Sequence, residues 1–218
     1  MNSTLPTIIF MDRDGTLIED NDYYIWSDPN WKEKIIFRKW VAEGFNLLKN
    51  CPEVLLVIVT NQSGCARAPW EPWYISEYSI KEVNTYIEDM CFKIWKSINL
   101  TLWSPYISQK QYDRYIKQWI KINTQYIDTS GTLSKPGVSM GEEALKFLWL
   151  EKWSVKMFMI GDRLSDMEFG LSLWADVCYL TPSSKTETTL PQKKKIKHVT
   201  DFWIAIESII TILESHKL

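Results

Sequence analysis

Two aspartates separated by a single residue, Asp12 and Asp14, follow the apolar run Thr7-Ile8-Ile9-Phe10-Met11. A carboxylate held at the end of a strand can attack phosphorus and form an acyl phosphate that water later hydrolyses. A second carboxylate beside it can protonate the leaving alcohol and then activate that water. Gly15 lets the chain turn sharply here, and Thr16 can fix the turn. An Asp-Gly turn is also a common and chemically idle feature, so the pair needs partners.

Candidate partners stand at three distant places. Thr60 and Asn61 follow a second apolar run, where a hydroxyl, an amide and nearby backbone N–H groups can hold phosphoryl oxygens or merely cap a helix. Lys135 precedes Pro136-Gly137, a constrained turn, where its ammonium can offset the charge on a phosphoryl group and on Asp12. Otherwise it is one more solvated lysine. Asp162 and Asp166 follow a third apolar run. Magnesium takes oxygen ligands and keeps several waters, so Asp12, the carbonyl of Asp14 and Asp162 suffice to hold it. Asp166 can accept from Lys135 or orient a metal-bound water. Acidic residues at a helix start also occur for the dipole alone. Together these groups are sufficient for phosphoryl transfer, and that joint sufficiency outweighs the bland reading of each.

The elements that must position them read as alternating strands and helices. Thr7–Met11, Val54–Val59, Lys156–Ile160 and Ala175–Leu180 are short apolar runs of the kind that form buried parallel strands. Helical patterns cover about Arg38–Asn50, Glu77–Ser97, Gly141–Glu151, Asp166–Trp174 and Asp201–Glu214. This order predicts an α/β fold, a doubly wound, Rossmann-like parallel sheet, with ligands outside the carboxyl ends of its strands. Three of the four runs end in the polar clusters just named. Asp20–Glu33 and Ser183–Lys197 read as loops, and Ser108–Ile127 as an extra helix or small lid.

The bulk properties are those of an ordinary globular chain. Its 218 residues suit one domain, 1–218, with a small helical insertion at about 105–130. A net charge of −2 supplies no general electrostatic reason for a nucleic-acid partner. Cys51, Cys65, Cys91 and Cys178 are scattered, which predicts reduced, mostly buried thiols. Neither a signal segment nor a membrane span is read, so no membrane partner is expected and the expected compartment is cytoplasmic. The sequence fixes no oligomeric state.

The sequence Asp12-Arg13-Asp14-Gly15-Thr16-Leu17, then Thr60-Asn61-Gln62-Ser63-Gly64, then Lys135-Pro136-Gly137, then Gly161-Asp162-Arg163-Leu164-Ser165-Asp166 resembles the haloacid dehalogenase (HAD) superfamily in motif order. The DRDGT and TNQSG forms are most similar to its histidinol-phosphate and heptose-bisphosphate phosphatase branch. The resemblance implies Asp12 as nucleophile, Asp14 as acid/base, Thr60 and Lys135 as phosphate ligands and Asp162 as a magnesium ligand. It covers Thr7 to Thr181. That branch often carries a zinc loop, but Leu102–Ser134 has neither Cys nor His, so no zinc is expected. Ser134 stands where the branch often has Arg, while Arg67 survives as a candidate for a substrate's distal anionic group.

These readings converge on a magnesium-dependent phosphomonoester hydrolase working through a phospho-aspartate. Its substrate would be a small phosphorylated metabolite, with a heptose-type sugar phosphate or bisphosphate ahead. The short span between the first two motifs and the modest insertion before the third imply little or no cap. An open site keeps a 3′-phosphatase of nucleic-acid ends as an alternative, and a catalytically idle HAD-fold binding module is the non-enzyme alternative. Trp26, Trp31, Trp70 and Trp73 fall near the expected mouth, to stack on a substrate or to pack the loops down. The remaining tryptophans are expected mostly in the core. Lys193–Lys197 reads as a solvated basic run, and His198 and His216 are given no role.

Overall fold

The structure is a computed structural model that describes residues 5–20, 30–94, 97–183 and 194–215. Trp26, Lys193, His216, residues 21–29 of the first expected loop and residues 184–193 of the second lie outside the described residues.

The chain runs β1 (Thr7–Met11), α1 (Trp31–Lys34), α2 (Val41–Leu48), β2 (Val54–Asn61), α3 (Glu77–Ile94), β3 (Leu100–Ser104), β4 (Ile107–Ser108), α4 (Gln109–Lys117), β5 (Ile127–Asp128), α5 (Ser139–Phe147), β6 (Lys156–Gly161), α6 (Leu164–Ser172), β7 (Val177–Leu180), β8 (Ile196–His198) and α7 (Phe202–Ser215). Among the described residues six strands form one parallel sheet in the order β3-β2-β1-β6-β7-β8. The expected doubly wound α/β fold is therefore present. No helix among the described residues is long and apolar enough to cross a membrane.

Every residue of β1 is buried, because the strand lies at the centre with a layer on each face. Successive side chains of a strand point to opposite faces. Ile9 and Met11 accordingly enter a core with Phe45 and Leu48 of α2, Val83 and Ile87 of α3, and Ile206 and Ile209 of α7. Ile8 and Phe10 enter the opposite core with Ala144 and Leu145 of α5 and Met167 and Phe169 of α6. Phe10 meets Phe169 edge to face at 5.7 Å between centroids. A unique register follows, since a slip of one residue would exchange the two faces.

Four strands went unread in the sequence. β3 is an edge strand whose first four residues are only half-buried, so it lacks the unbroken apolar run of its neighbours. β4 and β5 are two-residue strands paired with each other, and α4 lies between them. β8 corrects the reading of Ser183–Lys197 as loop throughout, because Ile196 and Lys197 pair with Cys178 and Tyr179 at the sheet's other edge. The helix expected over Ser108–Ile127 also shortens to Gln109–Lys117, started by a capping box between Ser108 and Gln111. Of its large apolar residues Tyr115 is buried, while Ile116 and, just after the helix, Trp119 are exposed.

The tryptophans depart furthest from expectation. Trp40, Trp119, Trp149, Trp153 and Trp174, expected in the core, are exposed. Near the mouth, Trp31 packs on the core and meets Tyr86 edge to face, whereas Trp70 and Trp73 are exposed. The thiols behave as expected: Cys65, Cys91 and Cys178 are buried and Cys51 is intermediate.

Helices α2 and α7 pack through Gly44, where an added Cβ would lie 2.7 Å from the Phe202 ring. Gly44→Val should therefore force the helices apart and lower unfolding stability by about 1–3 kcal/mol. Urea denaturation measures this, and an unchanged midpoint would contradict the packing.

Candidate active site

The sheet delivers the chemical groups to one end. β1 stops at Met11, and the Asp12 N–H donates to the Ile160 carbonyl, which ties the nucleophile candidate to the end of β6. The next turn is tight: Leu17 and Ile18 N–H groups both donate to the Arg13 carbonyl, and Gly15 N–H donates to the Ile18 carbonyl. Gly15 has φ +85°, and a Cβ there would overlap the Asp162 carboxylate. Glycine is required twice over, for backbone sign and for the approach of Asp162.

β2 runs two residues further than its apolar run, through Thr60 and Asn61. Asn61 then clasps the Lys135 backbone from both sides: its amide donates to the Lys135 carbonyl at 2.9 Å and its oxygen accepts from the Lys135 N–H at 3.0 Å. This places the lysine's side chain inward, only 6% exposed. Its ammonium donates to Asp12 Oδ1 at 2.5 Å and to the Val59 carbonyl at 2.8 Å, and pairs with Asp166 Oδ1 at 2.7 Å. The bland expectation of a solvated lysine fails here.

Asp162 follows β6 and is fully buried; it accepts from the Ser183 hydroxyl. Asp166, in the first turn of α6, accepts from the Arg163 N–H at 3.0 Å. Carboxylate oxygens of Asp12, Asp162 and Asp166 all lie within 4.8 Å of one another. A small cleft above them is lined by Asp12, Asp14, Thr60, Asn61, Lys135, Arg163, Ser165 and Asp166.

Asp12 and Asp14 sit in opposite electrostatic settings. Burial pushes the Asp12 carboxyl well above the usual carboxylate range; Lys135 opposes this, while Asp166, Asp162 and Asp14 add to it. Burial and the Asp166 charge likewise push Asp162 up to about 6. Burial would also raise Asp14, but the charge and hydrogen bonds of Arg13 and a hydrogen bond from Gln62 outweigh it and hold the group low. Lys135 is pushed up despite its burial, because Asp12 and Asp166 favour its charged form.

Several residues of this arrangement were not singled out in the sequence. Arg13, fully buried, forks onto Asp14 at 2.9 and 3.1 Å and donates to Asn84 on α3 at 2.6 Å. Gln62 donates to Asp14 at 2.8 Å and to the Thr60 hydroxyl at 2.9 Å. Arg38 donates to the carbonyls of Gly15 and Pro182 and so joins the β1 turn to the chain after β7. Arg163 lines the cleft and reaches Asp20 at 2.7 Å. Arg13 and Arg163 lie inside quoted motifs, and their charge was the available signal; nothing local marks Asn84 or Arg38.

Arg67 is not brought to this cleft. It is buried in a separate pocket lined by Cys65, Tyr74, Ile75, Glu77, Asn123 and Tyr126. Its guanidinium lies between the rings of Trp73 and Tyr115, at 4.7 and 4.8 Å, and donates to the Pro72 carbonyl at 2.9 Å.

Fold and motif order together resemble those of HAD-like phosphatases, and known proteins of that description are among those the chain is similar to. In sequence the chain is similar to the D-glycero-D-manno-heptose-1,7-bisphosphate 7-phosphatase of Chlorobaculum tepidum, 26% identical over 169 residues, covering 75% of this chain and 72% of that one. It is also 24% identical over 217 residues to the histidine biosynthesis bifunctional protein HisB of Buchnera aphidicola, covering 92% of this chain but spanning only about half (52%) of that protein. Among solved structures, the D,D-heptose 1,7-bisphosphate phosphatase from B. bronchiseptica, complexed with magnesium and phosphate, aligns with TM-score 0.69 at 14% identity over 94% of this chain and 99% of that one. A protein from Mesorhizobium loti described as a HAD-like phosphatase aligns equally well, with TM-score 0.69 at 24% identity over 96% and 87%. No family model matches the chain.

The donor set fits a hard divalent cation: three buried carboxylates converge, and their crowding favours protons wherever no cation offsets it. Folding raises Asp162 from its ordinary 3.8 to about 6, so without metal the folded chain holds a proton the unfolded chain has lost. That contribution is present below the unfolded pKa and is lost as pH rises through about 6. Magnesium competes with the same proton, so it should raise the melting temperature more at about pH 7.5 than at about pH 5. Thermal melts with magnesium and with chelator at both pH values test this; an equal increment at both would refute the shared site.

Proposed function

We propose that the chain is a magnesium-dependent phosphomonoesterase in which Asp12 is the nucleophile and a phospho-aspartate the intermediate. The observation that carries this reading is the Lys135 ammonium bridging Asp12 and Asp166 beside a third carboxylate, Asp162. An anion can attack a phosphate dianion only where fixed positive charge offsets both. Asp12, Asp162 and the carbonyl of Asp14 would hold magnesium, with Asp166 within reach as a further ligand. The ion would supply charge neutralisation to the phosphoryl oxygens and to the Asp12 carboxylate.

In the first step an Asp12 oxygen forms a bond to phosphorus while the bond to the leaving alcohol breaks. Asp14 gives its proton to the departing oxygen. Arg13 and Gln62 hold Asp14 ionised, and an arriving dianion raises its proton affinity, so it takes up the required proton as substrate binds. In the second step Asp14 takes a proton from water as that water attacks phosphorus, and the bond to Asp12 breaks. Thr60 and Asn61 line the cleft for phosphoryl oxygens, and Lys135 keeps Asp12 aimed at phosphorus.

The substrate we propose is a small sugar phosphate of the heptose type, supported by the named heptose-bisphosphate phosphatases that align with most of the chain. The segment at about 105–130, with its two-residue strands and the nine-residue α4, is too small to be a separate cap, so we assign residues 1–218 to one domain with that insertion. No zinc is invoked.

Turnover of a generic aryl phosphate with magnesium should fall by about 10³-fold or more in Asp12→Asn, with the fold retained by circular dichroism. Robust turnover in that variant would remove Asp12 as nucleophile. Asp14→Asn should cost about 10²–10⁴-fold and hit alkyl phosphates harder than aryl phosphates, whose leaving groups need less protonation. Equal losses on both substrate types would deny Asp14 the acid role. A panel of phosphorylated sugars then tests the substrate class, and no preference for heptose-type phosphates would refute it.

A further inference from the structure

Seven described residues have φ in the left-handed region, namely Gly15, Gly131 and five tryptophans: Trp40 (72°), Trp73 (67°), Trp119 (61°), Trp149 (57°) and Trp174 (73°). A bulky side chain there meets its own backbone, so the left-handed region belongs to glycine and, more rarely, to Asn or Asp. Here neither Asn nor Asp appears among the seven, and every residue other than glycine is the same bulky type, for which this region is an outlier.

Three of the five occupy a position that helix geometry reserves for glycine. After α4, Trp119 N–H donates to the Ile116 carbonyl and Ile120 N–H to the Tyr115 carbonyl. After α5, Trp149 donates to Lys146 and Leu150 to Leu145; after α6, Trp174 donates to Leu171 and Ala175 to Gly170. Each is the paired hydrogen-bond pattern that closes a helix with one left-handed residue, and tryptophan stands at that residue all three times. Trp73 is the third residue of a turn closed by Tyr74 N–H on the Glu71 carbonyl, with Pro72 before it. Proline followed by a left-handed residue is a turn that selects glycine. Trp40 precedes α2 in the same backbone state.

Side-chain contacts do not explain the choice. Trp119 and Trp149 are 90% and 93% exposed and Trp174 is 66% exposed. Trp40 and Trp174 carry lysine ammoniums over their rings at 4.7 and 5.8 Å, contacts of little worth at an exposed surface. Of these three cation contacts, the one of Trp73 is with a buried group, Arg67. Composition points the same way: 12 tryptophans accompany only 8 glycines in 218 residues, about half glycine's usual share of roughly 7%.

We propose that positions 40, 73, 119, 149 and 174 are glycine positions, and that the cells that make this protein translate them as glycine. The codon UGA links the two residues: some genetic codes read it as tryptophan and others as glycine, so one gene yields either chain. The exposed rings at 149 and 174 are then a product of decoding and not a docking surface.

Two measurements test this. In the coding sequence, the five positions should read UGA, and peptide mass spectrometry of the protein from its own cells should find each of them lighter by the difference between tryptophan and glycine. UGG codons at these positions, or tryptophan in the native peptides, overturn the decoding. In the tryptophan-bearing chain, Trp119→Gly, Trp149→Gly and Trp174→Gly should each raise the melting temperature by about 2–4 °C, the reverse of what removing an aromatic side chain from a packed site does. Alanine at the same sites keeps the Cβ and should recover less. Trp153→Gly, at an exposed site outside the left-handed set, should bring no gain. Unchanged or lower melting temperatures in all three glycine variants overturn the backbone argument, whatever the codons are.

Discussion

A single ammonium, that of Lys135, sits where three strand ends meet, and most of the architecture can be understood as a means of keeping it there. Burying a lysine is costly unless its charge is matched, and here Asp12, Asp166 and the Val59 carbonyl match it within 2.8 Å. Each partner comes from a different element: the turn after β1, the first turn of α6, and β2. Removing the lysine would leave two buried carboxylates facing one another, and removing either acid would leave a buried cation poorly matched. The site therefore has one stable arrangement of charge. That arrangement requires β1, β2 and β6 to be neighbours, as the strand order provides.

The same cluster divides labour between two aspartates that sequence alone makes look alike. Asp12 is buried among other carboxylates with Lys135 opposing them, whereas Asp14 turns to the Arg13 fork and Gln62. Groups whose environments drive their proton affinities apart are suited to different chemical roles. Arg13 does this from a fully buried position braced by Asn84 on α3. The helix that covers one face of the sheet thus also helps to set the ionisation of Asp14.

The central strands and the cluster were legible because both carry strong local signals. A short unbroken apolar run bounded by turn residues reads as a buried strand, and the polar residues that end it must face solvent or a ligand. Thr7–Met11 and Lys156–Ile160 are of this kind. β3 and β8 were not legible, because an edge strand buries little and its residues need not be apolar. Arg67 misled for a different reason. Its charge suggested an anion site, yet the aromatic walls of Trp73 and Tyr115 engage its guanidinium away from the cleft. Arg38 and Asn84 act through contacts across long stretches of chain, which no local pattern encodes.

The tryptophans expose an assumption within hydrophobic periodicity itself. A large apolar residue is taken as evidence of burial, because exposure would waste the free energy of removing it from water. That inference holds only if the residue was selected for its side chain. At Trp119, Trp149 and Trp174 the backbone decides instead: the helix must stop, its last carbonyls need the paired N–H groups, and the residue that turns the chain must tolerate positive φ. The side chain is then carried outward into water. Trp119 lies inside the stretch Ser108–Ile127 that reads as helical, yet α4 ends at Lys117. Treated as glycine, the same position ends the helix where the structure ends it, so the conflict between local pattern and fold disappears.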